Sequence, residues 1–229
     1  MVIYADVRAE RLEKQFDRLR SKLQLLRRPA MSLPVGTFPT MLLGGVLMDQ
    51  TSIAEVLGKL DSEVFVLTAA DGDRRNGQIV CWVRPATIVP QVPRVLVGIG
   101  RLTYTSELIE ASRRFALNLL GQDQWQWVPH FGFRSGREAD KFATVPFERG
   151  ITGSPLLPGI VGYLECEVRS VLDGGTHFFY LADVLEGRLV ADREPLRLQQ
   201  LAELLPPEDL STMIRLLERD SARDLALLR

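Results

Sequence analysis

The sequence contains few residues that can bind metals or carry out redox chemistry. Its histidines are His130 and His177, and its cysteines are Cys81 and Cys166. No CxxC pair occurs, so we expect no zinc site built from the usual nitrogen and sulfur ligands. Free cysteine behaves as a small hydrophobic residue, and neither cysteine has a partner nearby in the sequence. We therefore predict two buried, unreactive thiols, with a redox-active disulfide as the alternative.

The composition excludes several classes of protein. The chain has 229 residues, of which 46% are hydrophobic, and this fits one large globular domain or one domain with appendages. Its 28 basic and 29 acidic residues nearly balance, so we expect no nucleic-acid partner. The longest apolar stretch, Met41 to Met48, is far shorter than the roughly 20 residues of a membrane-spanning helix. Charges also interrupt the N-terminus, so we expect no secretion signal and a reducing cytoplasmic location.

Two helical arms are predicted to flank a central domain. From Leu12 to Leu26 the apolar residues recur at steps of four and three, which indicates an amphipathic helix. Its apolar stripe packs either on its own domain or on a second subunit. Prolines predict a linker from Pro29 to Pro39, and Pro206 and Pro207 divide the leucine-rich tail into two helices. The predicted parts are an N-terminal arm (residues 1–48), a central domain (49–192) and a C-terminal arm (193–229).

The central domain is predicted to be mainly β. Thr51 is expected to cap a short helix from Ile53 to Leu60, and Thr105 to cap another from Ser106 to Arg113. Many β-branched runs with few helices favour an antiparallel barrel over a βαβ sheet. The predicted strands are Glu63–Ala70, Gly77–Val83, Val95–Gly100, Phe115–Leu120, Gly162–Leu172 and His177–Glu186.

Six phrases between Leu57 and Leu189 carry a family resemblance through their order and spacing. They are EVFVLTA, NGQIVCWVRPATIVPQVPRVLVGIGR, TYTSELIEASRRFALNLL, the DKF at Asp140 to Phe142, YLECEV and GGTHFFYLADV. Together they resemble the flavin reductase-like FMN-binding family, and in particular the flavin reductase domain attached to some flavodiiron proteins. The resemblance implies a mainly β fold with helical arms, an antiparallel FMN-binding split β-barrel that forms a homodimer.

The resemblance also implies where the cofactor lies. In the family, FMN contacts the segments that here run from Asn76 to Thr87 and from Gly100 to Thr105. A phosphate is best held by amides, hydroxyls and cations, and the isoalloxazine ring by a flat apolar slot. His177 matches a histidine that lies near the flavin and could orient the hydride donor or stabilise the reduced ring. The implied slot residues are Cys81, Trp82 and Val83, and the implied phosphate ligands are Arg84, Arg101, Thr103, Tyr104 and Thr105, with Asn76, Gly77, Thr87 and Gly100 in the same segments.

Three further aromatic residues are given structural roles. His130, within Pro129-His130-Phe131-Gly132, is interpreted as a loop residue, with a cover over the flavin as the alternative. Trp125 and Trp127 are expected to pack in a core or an interface rather than against a cofactor.

Three functions follow from the resemblance. The first is an NAD(P)H-dependent flavin reductase that passes hydride from NADH or NADPH to flavin N5, after which reduced flavin serves an acceptor protein. The second is an FMN-binding electron carrier without a nicotinamide site. The third is a barrel that has lost flavin binding. This alternative is considered because Val80, Cys81, Arg84 and Pro85 stand where the family is rich in serine and threonine.

Overall fold

The computed structural model of the protein describes residues 56–228. The predicted N-terminal helix, the proline-rich linker and the Thr51 cap lie outside the described residues. Residues 56 and 57 are helical, so the described part of the helix predicted from Ile53 to Leu60 ends at Leu57.

The described residues form nine strands and four α-helices. The strands are β1 (Phe65–Asp71), β2 (Arg74–Val80), β3 (Val83–Pro85), β4 (Arg94–Gly100), β5 (Arg114–Leu119), β6 (Glu148–Arg149), β7 (Pro155–Leu156), β8 (Gly162–Asp173) and β9 (His177–Leu189). The helices are α1 (Tyr104–Ser112), α2 (Trp127–Gly132), α3 (Leu201–Leu204) and α4 (Pro207–Leu227), with short 3-10 turns at Gln122–Gln124 and Leu198–Gln200.

The sheet topology explains why the strands form a barrel. Seven strands are hydrogen-bonded in the order β2-β1-β5-β8-β9-β4-β3, with antiparallel neighbours throughout. β2 and β3 lie at opposite edges of this sheet, yet only Cys81 and Trp82 separate them along the chain. The sheet must therefore curl until its two edges approach each other at these residues, which we call the seam. The predicted antiparallel barrel is confirmed.

Two apolar clusters stabilise the barrel and its helices. The first lies within the barrel and includes Leu67, Phe115 and Tyr180, all fully buried. The second lies under the helices and includes Phe131 of α2, with Leu210 and Met213 of α4 packed against it. Burying each large apolar side chain contributes about 1.5–3 kcal/mol. The first half of α4 is thereby anchored to the domain.

Several predicted boundaries are corrected by the structure. The strand predicted from Gly77 to Val83 is two strands, because the continuous apolar run VCWV hides the break at the seam. Helix α2 was missed, since Pro129 and Gly132 within it are typical of loops. The division of the tail is confirmed, with α3 ending before the two prolines and α4 beginning at Pro207.

The start of α1 is also corrected. Thr105 was predicted as the N-cap, but it lies inside the helix and is fully buried. Thr103 is the N-cap instead, because its backbone is extended and its hydroxyl accepts a hydrogen bond from the Ser106 amide at 3.2 Å. Sequence patterns rarely distinguish neighbouring threonines, since either can satisfy a free amide.

Replacing Thr103 with alanine is expected to lower the free energy of unfolding by about 1 kcal/mol, because the Ser106 amide loses its acceptor. Urea denaturation measures this difference. Thr103→Ser keeps the hydroxyl and serves as the control, with stability close to wild type. A Thr103→Ala variant as stable as Thr103→Ser would contradict the assignment of the cap.

Candidate functional site

The seam of the barrel offers a free backbone donor beside an exposed aromatic ring. The Gly98 amide donates to the Trp82 carbonyl at 2.9 Å, which attaches the seam to β4. The Cys81 amide donates no hydrogen bond to any residue between 56 and 228. The side chain of Trp82 is 54% exposed. A ligand at the seam therefore finds both a hydrogen-bond donor and a flat apolar surface.

A second aromatic ring packs parallel to Trp82 across the sheet. Gly98 pairs with Phe179 of β9, and a Cβ atom on Gly98 would lie 2.8 Å from Trp82 and 2.9 Å from Phe179. The missing side chain lets both rings lie over the β4 backbone. Their planes are within 1° of parallel, with centroids 6.1 Å apart. The sequence makes this surface because a glycine in a strand interior allows close approach.

His177 lies at the same surface, at the start of β9. It pairs with Gly100, and its ring centroid is 4.6 Å from that of Trp82. Its Nδ1 lies 2.9 Å from the Thr176 hydroxyl, so Nε2 is the nitrogen left for a ligand. Burial lowers the pKa of His177 below its ordinary value, with Asp224 opposing and Arg223 reinforcing the shift. The imidazole is therefore neutral at pH 7.

Arg101 joins the loop after β4 to the turn between β8 and β9. Its guanidinium donates to the Gly175 carbonyl at 2.8 Å and lies 3.3 Å from the Asp173 carboxylate. It also lies over the Phe178 ring, 5.0 Å from the centroid. This cation is one-third exposed, and it already has an anionic partner.

The structure brings some of the predicted site residues together at the seam and places the others elsewhere. The Arg84 guanidinium forms an ion pair with the Glu63 carboxylate at 3.3 Å. Val83 packs in the barrel core. The Asn76 amide donates to the Thr105 hydroxyl at 2.8 Å, and both side chains are buried. The residues brought together at the seam are Cys81, Trp82, Gly100, Arg101 and His177; those placed elsewhere are Asn76, Gly77, Val83, Arg84, Thr87, Tyr104 and Thr105, while Thr103 caps α1.

Lys141 is a buried cation between β2 and α2 whose contacts sequence reasoning missed. Its ammonium donates to the carbonyls of Gly77 at 2.8 Å and Phe131 at 2.7 Å, and the residue is 8% exposed. Burial lowers its pKa to about 8. The lysine fastens α2 to β2 just before the seam. The DKF phrase was the available signal, but the phrase alone does not reveal which carbonyls the lysine meets.

Phe179 and Gly98 were also missed as site residues. Phe179 follows His177 by two positions on the same strand, and side chains at this spacing point to the same face. Gly98 stands inside the run VLVGIG, where an isolated glycine indicates close approach. Both signals were present in the sequence.

The remaining cysteine and aromatic predictions largely hold. Cys166 is buried and Cys81 half-buried, both are free thiols, and burial raises their pKa values to about 12 and about 11 respectively. His130 is structural as predicted, since its Nε2 lies 2.7 Å from the Lys141 carbonyl, although it lies in α2 and not in a loop. Trp125 and Trp127 pack against the second core cluster, as predicted.

The C-terminal end of α4 lies beside His177. A Cβ atom on Gly175 would be 3.1 Å from the Cδ2 atom of Leu228, so the end of the chain contacts the β8–β9 turn. Asp224 has a side chain only 18% exposed and pairs with Arg223 at 2.8 Å. Both charges act on the His177 pKa, which places the last turn of α4 within electrostatic range of the imidazole.

Two other concave surfaces occur in the described part of the chain. A charged cavity of about 280 Å³ is lined by Asp73, Arg74, Arg75, Tyr104, Gly136 and Asp140. An apolar groove of about 380 Å³ lies under the loop that contains Thr87 and Ile88. Residues 56–228 contain no cluster of three potential metal ligands and no helix long and apolar enough to cross a membrane.

The pKa of His177 is expected to respond in opposite directions to two substitutions. Asp224→Asn removes a nearby negative charge and should lower the pKa further, whereas Arg223→Gln should raise it. An NMR titration of the imidazole C–H signals measures both, with His130 as the internal reference. Identical His177 titrations in all three proteins would show that α4 does not approach the imidazole.

The structure is an antiparallel split barrel with an exposed aromatic ring at its seam. The family model described as "Flavin reductase like domain" matches residues 57–201, which is more than half of the chain. The chain therefore belongs to the flavin reductase-like family, and the resemblance predicted from its phrases is confirmed.

The relatives by sequence share only part of their length with this chain. The chain is 32% identical over 144 residues to the high molecular weight rubredoxin of Moorella thermoacetica, with 62% of each protein covered. It is 32% identical over 136 residues to putative diflavin flavoprotein A 2 of Synechocystis sp., with 59% of this chain and 23% of the relative covered. The matched region thus spans less than two thirds of either relative.

The matched region covers most of each of the structural relatives described next. The NADH:FAD oxidoreductase SgcE6 of Streptomyces globisporus C-1027 has a TM-score of 0.59 and 26% identity, covering 65% of this chain and 88% of that one. It has also been solved in complex with NAD and FAD fragments. A homologue of nitrilotriacetate monooxygenase component B from Mycobacterium thermoresistibile has a TM-score of 0.57 and 30% identity, with 65% and 82% covered.

Proposed function

We propose that the protein is an FMN-binding flavin reductase that uses NADH or NADPH as electron donor. The observation that carries the proposal is the cluster of Trp82, Phe179 and His177 beside the Cys81 amide, which has no acceptor among residues 56–228. The relation to an NADH:FAD oxidoreductase and to diflavin flavoproteins supports the same chemistry.

The residues at the seam fit the ring of a flavin. An isoalloxazine needs a flat apolar surface with a backbone donor at its polar edge, because such contacts tune its reduction potential. The exposed ring of Trp82, with Phe179 parallel to it, would supply the first, and the Cys81 amide would supply the second. Arg101 is the predicted phosphate cation that directly follows Gly100, and a phosphate would compete with Asp173 for its guanidinium.

In this proposal the protein positions the reactants, and a bound flavin supplies the capacity to accept a hydride at N5 from a nicotinamide. Trp82 and Phe179 hold one face of the ring, which leaves the opposite face for the donor. His177 is neutral, so its Nε2 can accept or donate a hydrogen bond without adding a charge to the site. It orients the donor rather than transferring a proton that the reaction requires. Loss of His177 should therefore slow turnover without abolishing it.

A homodimer in which each subunit binds one FMN near the interface is part of the proposal. Support comes from a surface rich in exposed apolar side chains around the apolar groove, where Ile88 is 99%, Val89 47% and Val92 45% exposed. Exposed apolar patches of this kind are typical of interaction surfaces. Light scattering coupled to size-exclusion chromatography should give twice the chain mass, and a monomer would overturn this part.

One experiment separates the three functions. The purified protein is saturated with FMN, excess flavin is removed, and NADH or NADPH is added without oxygen while the visible spectrum is recorded. Retained flavin that bleaches supports the reductase. Retained flavin that stays yellow contradicts the reductase and favours the electron carrier. A colourless protein, with no flavin turnover in the presence of free FMN, favours a barrel that has lost flavin binding.

A further inference from the structure

The end of α4 is an addition to the family domain that reaches the proposed flavin site. The family match ends at residue 201, and α4 runs from Pro207 to Leu227. Leu228, immediately after the helix, contacts the β8–β9 turn at Gly175, two residues before His177. Asp224 and Arg223 lie within electrostatic range of the imidazole. An element that the shared domain lacks therefore borders the face where a donor would approach.

The two halves of α4 are attached very differently. Leu210 and Met213 pack against the second core cluster, so the first half is held firmly. Farther along, Leu217, Leu225 and Leu228 are 62%, 53% and 65% exposed, and no residue of α4 is fully buried. Segments with few buried apolar contacts open locally at low free-energy cost. The second half can therefore separate from the barrel while the first half stays in place.

The ion pairs in the second half do not oppose such a movement. Arg219 pairs with Asp220, and Arg223 pairs with both Asp220 and Asp224, at distances of 2.8 to 3.1 Å. All of these pairs lie within α4. Among residues 56–228, none of these three pairs joins α4 to the barrel, so all survive when the helix end moves away. On the barrel, Arg101 and Asp173 are paired with each other.

We propose that residues 218–228 form a movable cover over the His177 edge of the site and control the entry of the electron donor. The contact of Leu228 with Gly175 holds the cover closed, and its release opens the approach to His177. The role in donor entry rests on the proposed reductase function, whereas the shielding of His177 does not. When a binding-competent state is only partly populated, apparent affinity falls by that fraction. Removing the cover should therefore strengthen apparent donor binding.

Chemical modification of the histidines tests the shielding without any flavin. A truncated protein that ends at Leu217 keeps the anchor at Leu210 and Met213. Diethyl pyrocarbonate modifies accessible neutral imidazoles, and mass spectrometry of the peptides gives a rate for each histidine. Truncation should raise the rate at His177 by at least about threefold through loss of the cover. His130, whose Nε2 contacts the Lys141 carbonyl, is the internal reference and should be unchanged.

A point variant provides the same test if the truncation disturbs folding. Leu228→Gln weakens the contact with Gly175 and should raise the His177 modification rate in the same direction. Leu217→Gln is the matched control, since it replaces a leucine of α4 with nearly the same exposure, 62% against 65%. Unchanged His177 rates in both the truncated protein and Leu228→Gln would overturn the cover.

Steady-state kinetics then test donor entry. In the truncated protein, KM for NADH or NADPH should fall at least about threefold while the dissociation constant of FMN stays within about twofold. An unchanged KM in a protein that reduces flavin overturns the control of donor entry. Faster His177 modification in a protein that reduces no flavin supports the cover and overturns the reductase function, so the two failures are distinguishable.

Discussion

Replacing Gly98 with valine is expected to weaken FMN binding by at least about tenfold while the barrel stays folded. The added side chain would begin 2.8 Å from Trp82 and 2.9 Å from Phe179, so both rings must leave the β4 backbone. Trp82 is 54% exposed and can swing outward, which relieves the clash at little cost to stability. The flat surface is lost in the process. Titration of FMN, followed through its fluorescence, measures the change in affinity.

The control for this substitution lies on the same strand. Leu96 precedes Gly98 by two residues, faces the same side of β4 and is 40% exposed. Leu96→Val should bind FMN within about twofold of wild type, because it does not crowd the rings. Circular dichroism melting establishes that both variants are folded. If Gly98→Val bound FMN as tightly as Leu96→Val, the flavin could not lie against the Trp82 and Phe179 rings.

Replacing Lys141 with methionine is expected to change how stability depends on pH. The pKa of Lys141 is lowered from 10.5 to about 8 in the folded protein by burial. Between these two values the unfolded chain binds more protons than the folded one, so the contribution of this group to stability rises with pH. The wild-type free energy of unfolding, relative to Lys141→Met, should increase by about 3 kcal/mol across this interval.

Taking the difference between the two proteins isolates the lysine from other groups. The pKa values of Cys81 and Cys166 are raised by burial, and these thiols lower stability as pH rises through their unfolded values. Both proteins contain them, so their effect cancels. Urea denaturation at several pH values provides the measurement. A difference that stays constant between pH 8 and pH 10.5 would mean that burial does not lower the pKa of Lys141.

The sequence predicts the individual strands better than the position of the seam at which the edges of the sheet approach each other. Alternating and β-branched runs indicate most of the sheet, because side-chain burial on one face is a local property of the chain. The seam at Cys81 and Trp82 lies inside a continuous apolar run, and its position depends on β2 and β3 reaching opposite edges of the sheet. The position of the seam is a property of the complete barrel, so a local sequence pattern cannot predict it.

The same limit applies to the candidate site. The resemblance brought Trp82 and His177 into one hypothesis, and the structure places their ring centroids 4.6 Å apart. The partners of the arginines were not predictable, because Arg84 meets Glu63 and Arg101 meets Asp173 far along the chain. The approach of α4 to His177 depends in the same way on tertiary packing and not on the leucine pattern of the tail.

A crystal structure of the protein with FMN tests the central claim, that the flavin binds at the seam. The account predicts that the isoalloxazine ring contacts Trp82 and accepts a hydrogen bond from the Cys81 amide. Flavin bound instead in the charged cavity at Tyr104 or in the apolar groove under Ile88, or no bound flavin at saturating FMN, would contradict it.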